Sequence, residues 1–75
     1  MSTRTAERSA LVDAFLESYI SWREACEDVW GAYRRWAECK PQQRRLGFAA
    51  YQSALDREEH AAGVHCHWAG RVGAG

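Results

Sequence analysis

A chain of 75 residues has room for one domain, and at that length folding buries only about 60% of the surface the unfolded chain exposes, which leaves stability near its lower limit. Ten basic side chains balance ten acidic ones, so the cationic excess that a nucleic-acid binder needs is absent. The three cysteines, Cys26, Cys39 and Cys66, are odd in number and form no C-x-x-C pair, and no apolar signal core follows Met1. These features point to reduced thiols in a cytoplasmic protein, and the longest uncharged runs, about ten residues each, are half of what a membrane span requires.

Taken in chain order, residues 1–5 are expected to fray, with Thr3 or Thr5 capping a first helix over about 6–39. In that helix Val12, Phe15, Tyr19, Trp22, Cys26, Val29, Tyr33 and Trp36 step by three and four without a charged interruption. Adding Leu11, Leu16 and Trp30 widens the apolar arc to roughly 160°, against the ~100° stripe that one neighbouring helix covers. Asp13, Glu17, Glu24, Glu27, Asp28, Arg35 and Glu38 hold the opposite face, where Ile20 is the one apolar misfit.

Pro41, the only proline, follows Lys40 and marks a single turn, with its ring suited to the first position of a second helix over about 42–70. So short a connection forces the helices antiparallel, and residues whose numbers sum to about 83 then face each other. Phe48, Tyr51, Leu55, Ala62, Cys66 and Ala69 form one line on the second helix, beside a second line of Ala50, Ala54, Ala61, Trp68 and Val72. Two lines call for two neighbours, with small residues admitting a close approach and large aromatics filling the space above them. Gly47 and Gly63 weaken this helix by roughly 1 kcal/mol each relative to alanine, and a glycine-rich tail over 70–75 is expected to fray.

Six residues of metal-ligating type, from Glu58 to His67, make the one cluster that resembles a site. Helix geometry disperses it: the only i, i+4 pair containing a histidine joins Asp56 to His60, while His60 and His67 lie two turns apart. Asp56, His60, His65 and His67 are therefore candidate ligands only, and no metal or cofactor is expected. His65 and Glu58 fall inside the apolar arc and should reach water at its rim, or bond Ser18 and Arg23 of the facing helix. Half of the basic side chains, Arg34, Arg35, Lys40, Arg44 and Arg45, gather at the hairpin tip, without the aromatic platform or glycine-rich loop that nucleic-acid or phosphate binding uses. His65-Cys66-His67 offers a thiol beside imidazoles, yet neighbouring side chains on a helix diverge by about 100°, which argues against a catalytic dyad.

The sequence thus describes an all-α single domain, 1–75, folded as an antiparallel two-helix hairpin and expected to dimerise into a four-helix bundle. It reads as a non-enzymatic interaction module, partnered by itself or by a larger protein, with no nucleic acid and no membrane. The expected interface and core residues are Val12, Phe15, Tyr19, Trp22, Cys26, Val29, Trp30, Tyr33, Trp36, Phe48, Tyr51, Leu55, Ala62 and Trp68. The alternative is a metal- or small-ligand-binding bundle built on the His/Cys/Glu cluster of the second helix.

Overall fold

The computed structural model describes residues 3–74, with side chains over 6–73. Helix α1 spans Thr3–Glu38, a 3-10 turn covers Pro41–Gln43, and helix α2 spans Arg44–Ala74. At 1.5 Å per residue α1 is about 54 Å long, and the two helices run antiparallel as a rod of 63 × 14 × 13 Å.

The turn is made by backbone rules. A residue before proline is pushed out of the helical region, and Lys40 is extended at φ −68°, ψ 153°. The Cys39 N–H and thiol both donate to the Trp36 carbonyl, at 3.4 and 3.1 Å, so the last turn of α1 keeps its acceptor occupied. Gln43 N–H then donates to the Lys40 carbonyl at 2.9 Å, and Arg44 N–H donates to the Pro41 carbonyl as α2 begins. Pro41 accordingly opens the 3-10 turn and not α2 itself.

Both helices are longer at the open end of the hairpin than the sequence suggests. Helix α1 already includes residues 3–5, and α2 continues through Gly70 and Gly73 to Ala74, where fraying is expected from composition. The outer turns lie along each other, with Leu11, Trp68 and Val72 all half-buried, and this packing outweighs the weak helical propensity of glycine. The capping role given to Thr3 or Thr5 falls outside the described side chains.

Burial follows a heptad on each helix. In α1 every position of the series 11, 15, 18, 22, 25, 29, 32, 36, 39 is buried or half-buried, and in α2 the same holds for 47, 51, 54, 58, 61, 65, 68, 72. The fully buried members are small: Ala25, Ala32, Ala54 and Ser18. Bulky Phe15, Trp22, Val29 and Trp36 alternate with them along α1. A Cβ placed on Gly47 would stand 3.2 Å from Trp36 Cδ1 and 3.3 Å from Trp36 Cα. That contact and the Ser18–His65 contact both join residues whose numbers sum to 83. Between the turn and Ser18 the register opposes a large residue to a small one, Trp36 to Gly47, Tyr51 to Ala32, Val29 to Ala54, Glu58 to Ala25, Trp22 to Ala61 and His65 to Ser18, and at the open end it opposes large to large, Phe15 to Trp68 and Leu11 to Val72. Small residues let the backbones close up, and the neighbouring large ones fill what remains.

Candidate protein interaction face

Because the seam uses only two of the seven heptad positions, the rest of the apolar arc of α1 is left beside it. Tyr19, Cys26 and Tyr33 each lie one residue past a seam position, which turns them about 40° from the bulky seam line, and Leu16 and Trp30 lie a further 60° round. On α2 the matching positions hold Phe48, Leu55, Ala62 and Ala69. In an antiparallel pair these two rows border the same side of the seam, and the ring contacts that cross it agree: Tyr33 with Tyr51 at 5.8 Å, Trp36 with Phe48 at 5.2 Å, Tyr19 with His65 at 5.6 Å. The result is one apolar face along the rod.

Much of it is open to solvent. Trp30 is 63% exposed, Leu16 49%, Tyr19 44%, Tyr33 43% and Phe48 42%. Ile20 is exposed as expected at 56%, and so are all seven charged residues assigned to the polar face of α1. Of the interface and core residues expected from sequence, Phe15, Trp22, Val29, Trp36, Tyr51 and Trp68 enter the hairpin seam. Tyr19, Trp30, Tyr33, Phe48 and Leu55 do not; they are exposed, and Val12, Cys26 and Ala62 are half-buried at the flank. Ser18, Ala25 and Ala32 occupy the seam in their place. Their 4-3-4-3 spacing with the bulky residues was the available signal, but small side chains carry little weight in a hydrophobic pattern.

The face has two aromatic clusters. Near the turn, Trp36 stacks on Tyr51 at 5.6 Å and 11°, Tyr33 meets Trp36 edge-on at 6.2 Å, and Trp30 stands at 90° to Tyr33. Val29, Trp30, Tyr33 and Tyr51 line an open hollow of about 390 Å³ here. Toward the open end, the His65 ring lies flat on Trp22, 5.6 Å apart and 6° from parallel, with Phe15 at 5.1 Å. Cys26 and Leu55 lie between the clusters.

The contact with Ser18 selects one tautomer of the neutral His65 ring. The Ser18 hydroxyl has a single proton, and it is donated to the Phe15 carbonyl at 2.7 Å. Ser18 Oγ must therefore accept from His65 Nδ1, 3.1 Å away, so the neutral ring carries its proton on Nδ1. Arg23, the other partner considered for this stretch, is exposed. One group in the same stretch stays unsatisfied: Trp22 Nε1 is buried with no acceptor.

The other ligand candidates diverge. Asp56, His60 and His67 are exposed while His65 faces the seam, and among the described residues no three His, Cys, Asp or Glu side chains come together as a metal site. Cys26, Cys39 and Cys66 are free thiols. His67 packs edge-on against Trp68 at 5.1 Å, and the Arg71 guanidinium lies 5.9 Å over the Trp68 ring. No helix among the described residues is long and apolar enough to cross a membrane. Compared with protein-family models, with characterised proteins and with solved structures, the chain matches none.

Proposed function

We propose that this protein is a small non-enzymatic interaction module whose aromatic face is covered by a second copy of the chain, giving a four-helix bundle. The observation that carries this reading is the mismatch between core and surface. The hairpin buries alanines and a serine, while Trp30, Tyr33, Tyr19, Phe48, Leu16 and Leu55 stay exposed on one side. At about 25 cal/mol per Å² of apolar surface, covering these side chains would add stabilisation that the isolated hairpin lacks. A contiguous apolar patch of this kind marks an association surface. A net charge of zero offers little electrostatic resistance to self-association.

Sedimentation equilibrium across nanomolar to high-micromolar protein tests it. The expected result is reversible conversion from 8.5 kDa monomer to a species of twice that mass. A folded, monodisperse monomer at high micromolar concentration, its tryptophans already protected from iodide quenching, overturns the proposal.

A further inference from the structure

We infer that the second copy lies tip to base against the first, with the twofold axis passing beside Cys26, so that α1 packs on its own counterpart and the two Cys26 thiols face each other. This rests on the self-association proposed above and adds its orientation.

The first support is a symmetry within α1. Tyr19 and Tyr33 stand seven residues before and after Cys26, and Trp22 and Trp30 stand four before and four after. At about 100° per residue, four steps turn the helix by about 40° beyond a full turn, so the two tryptophans flank the Cys26 direction at equal angles on opposite sides. Seven steps fall about 20° short of two turns, and the two tyrosines flank it likewise. A helix read about its own midpoint in this way presents a similar row of rings in both chain directions, so an antiparallel copy can be matched to it ring for ring. Tyr19 then meets the partner's Tyr33, and the exposed Trp30 meets the edge of the partner's Trp22 that its own half-burial in the seam leaves accessible.

The second support is the placement of bulk. The turn-side cluster around Trp36, Tyr33 and Phe48 overlies, in a tip-to-base pair, the open-end half of the partner, where α2 offers Ala62, Gly63, Cys66 and Ala69. The exposed glycine has nothing within 4 Å of where its Cβ would be, so an aromatic ring can approach there. In a tip-to-tip pair the two bulky clusters would instead meet each other and leave the small residues facing small residues.

Charge favours the same choice. Arg34, Arg35, Lys40, Arg44 and Arg45 crowd the tip, and Glu38 is the only acid among them. Tip-to-tip packing would bring two such ends together, at a cost in like-charge repulsion, whereas tip-to-base packing keeps them at opposite poles.

Cys26 reports the orientation directly, because a disulfide needs Cα atoms about 4.4–6.8 Å apart. The experiment uses a Cys39→Ser, Cys66→Ser protein retaining only Cys26, and a Cys26→Ser, Cys39→Ser protein retaining only Cys66. Each is checked for helicity and for dimer content by sedimentation, then treated with diamide. In the cross-link the two thiols lose their hydrogens to the N=N bond of diamide, which becomes a hydrazine, and the S–S bond forms. The Cys26-only dimer is expected to become covalent about a hundredfold faster than the Cys66-only dimer, since a thiol held beside its mate sees an effective concentration of about millimolar. Cys66, although exposed, faces the partner's Phe48 region and not its own copy. A stable dimer in which Cys26 does not cross-link, or in which Lys40→Cys in a cysteine-free background does, overturns the orientation and leaves the self-association standing. A monomer overturns both. Should the serine variants fail to fold, oxidised wild-type protein is digested and its disulfide peptides mapped: Cys26 joined to Cys26 supports the inference, and any other intermolecular pair opposes it.

Discussion

Trp22 and His65, toward the open end, both bring polar groups into the seam. Trp22 stacks on His65 while its indole N–H finds no acceptor, so ring and N–H contribute with opposite sign. Trp22→Ala should destabilise by about 3 kcal/mol, the lower end of the range for tryptophan because the ring is half-buried. Trp22→Phe should cost far less, since it keeps a stacking surface and removes a buried donor worth about 1–3 kcal/mol when unpaired. Urea titration of both proteins checks the order, and a Phe variant as damaged as the Ala variant would contradict it. Ser18→Ala should cost about 1 kcal/mol by stranding His65 Nδ1–H, and a Ser18→Ala, His65→Leu protein should regain at least that much, because both ends of the pair leave together. The Ser18 and His65 pairing was one of two outcomes the sequence left open for that histidine, the other being water at the rim, and it was readable because a register summing to 83 follows from one proline and a short turn. The tautomer was not, since it depends on where the serine proton goes.

At the scale of the helices, glycine has two opposite meanings in α2. Gly47 permits contact with the backbone of Trp36, and Gly47→Ala would press a methyl group to 3.3 Å from a Cα that cannot swing away. Gly63 touches nothing within 4 Å. Gly47→Ala should therefore lower the melting temperature, while Gly63→Ala should raise stability by about 0.5–1 kcal/mol through helical propensity alone. Sequence reasoning treats both as weak points, because propensity is local and close approach is not. The same blindness explains the seam. Tyr19 and Tyr33 dominate any hydrophobic pattern, yet two backbones drawn together need Ser18, Ala25 and Ala32 between them, and those residues mark the line only by their smallness. Helix existence, antiparallel pairing and the excess width of the apolar arc were all readable, because each depends on spacing. Which part of that arc turns inward depends on steric fit between two helices.

For the whole molecule, the self-association proposed from its thin core and broad aromatic face predicts that stability depends on concentration. Binding that favours the folded state adds RT ln(1 + [L]/Kd), so the melting temperature should climb as protein concentration rises. A melting temperature that stays constant across a hundredfold range argues against association. Trp30 is the residue that separates the two effects. At 63% exposed it contributes little to the hairpin, so Trp30→Glu should leave monomer helicity intact and abolish the dimer by burying a charge at its interface. Glu24→Gln and Glu27→Gln, on the exposed opposite side, should change neither property.

The short connection at Lys40 and Pro41 also predicts an order in which the layers open and close. Layers next to the turn join residues close in the chain and cost little loop entropy, whereas the Leu11 and Val72 layer must close a loop of some sixty residues. The turn-side rings beside Gly47 are thus the natural starting point, with the remaining layers fastening in succession like teeth of a zip. Amide hydrogen exchange along α1 should reflect that order, slowing steadily from Leu11 toward Trp36 until the helix terminus itself is reached.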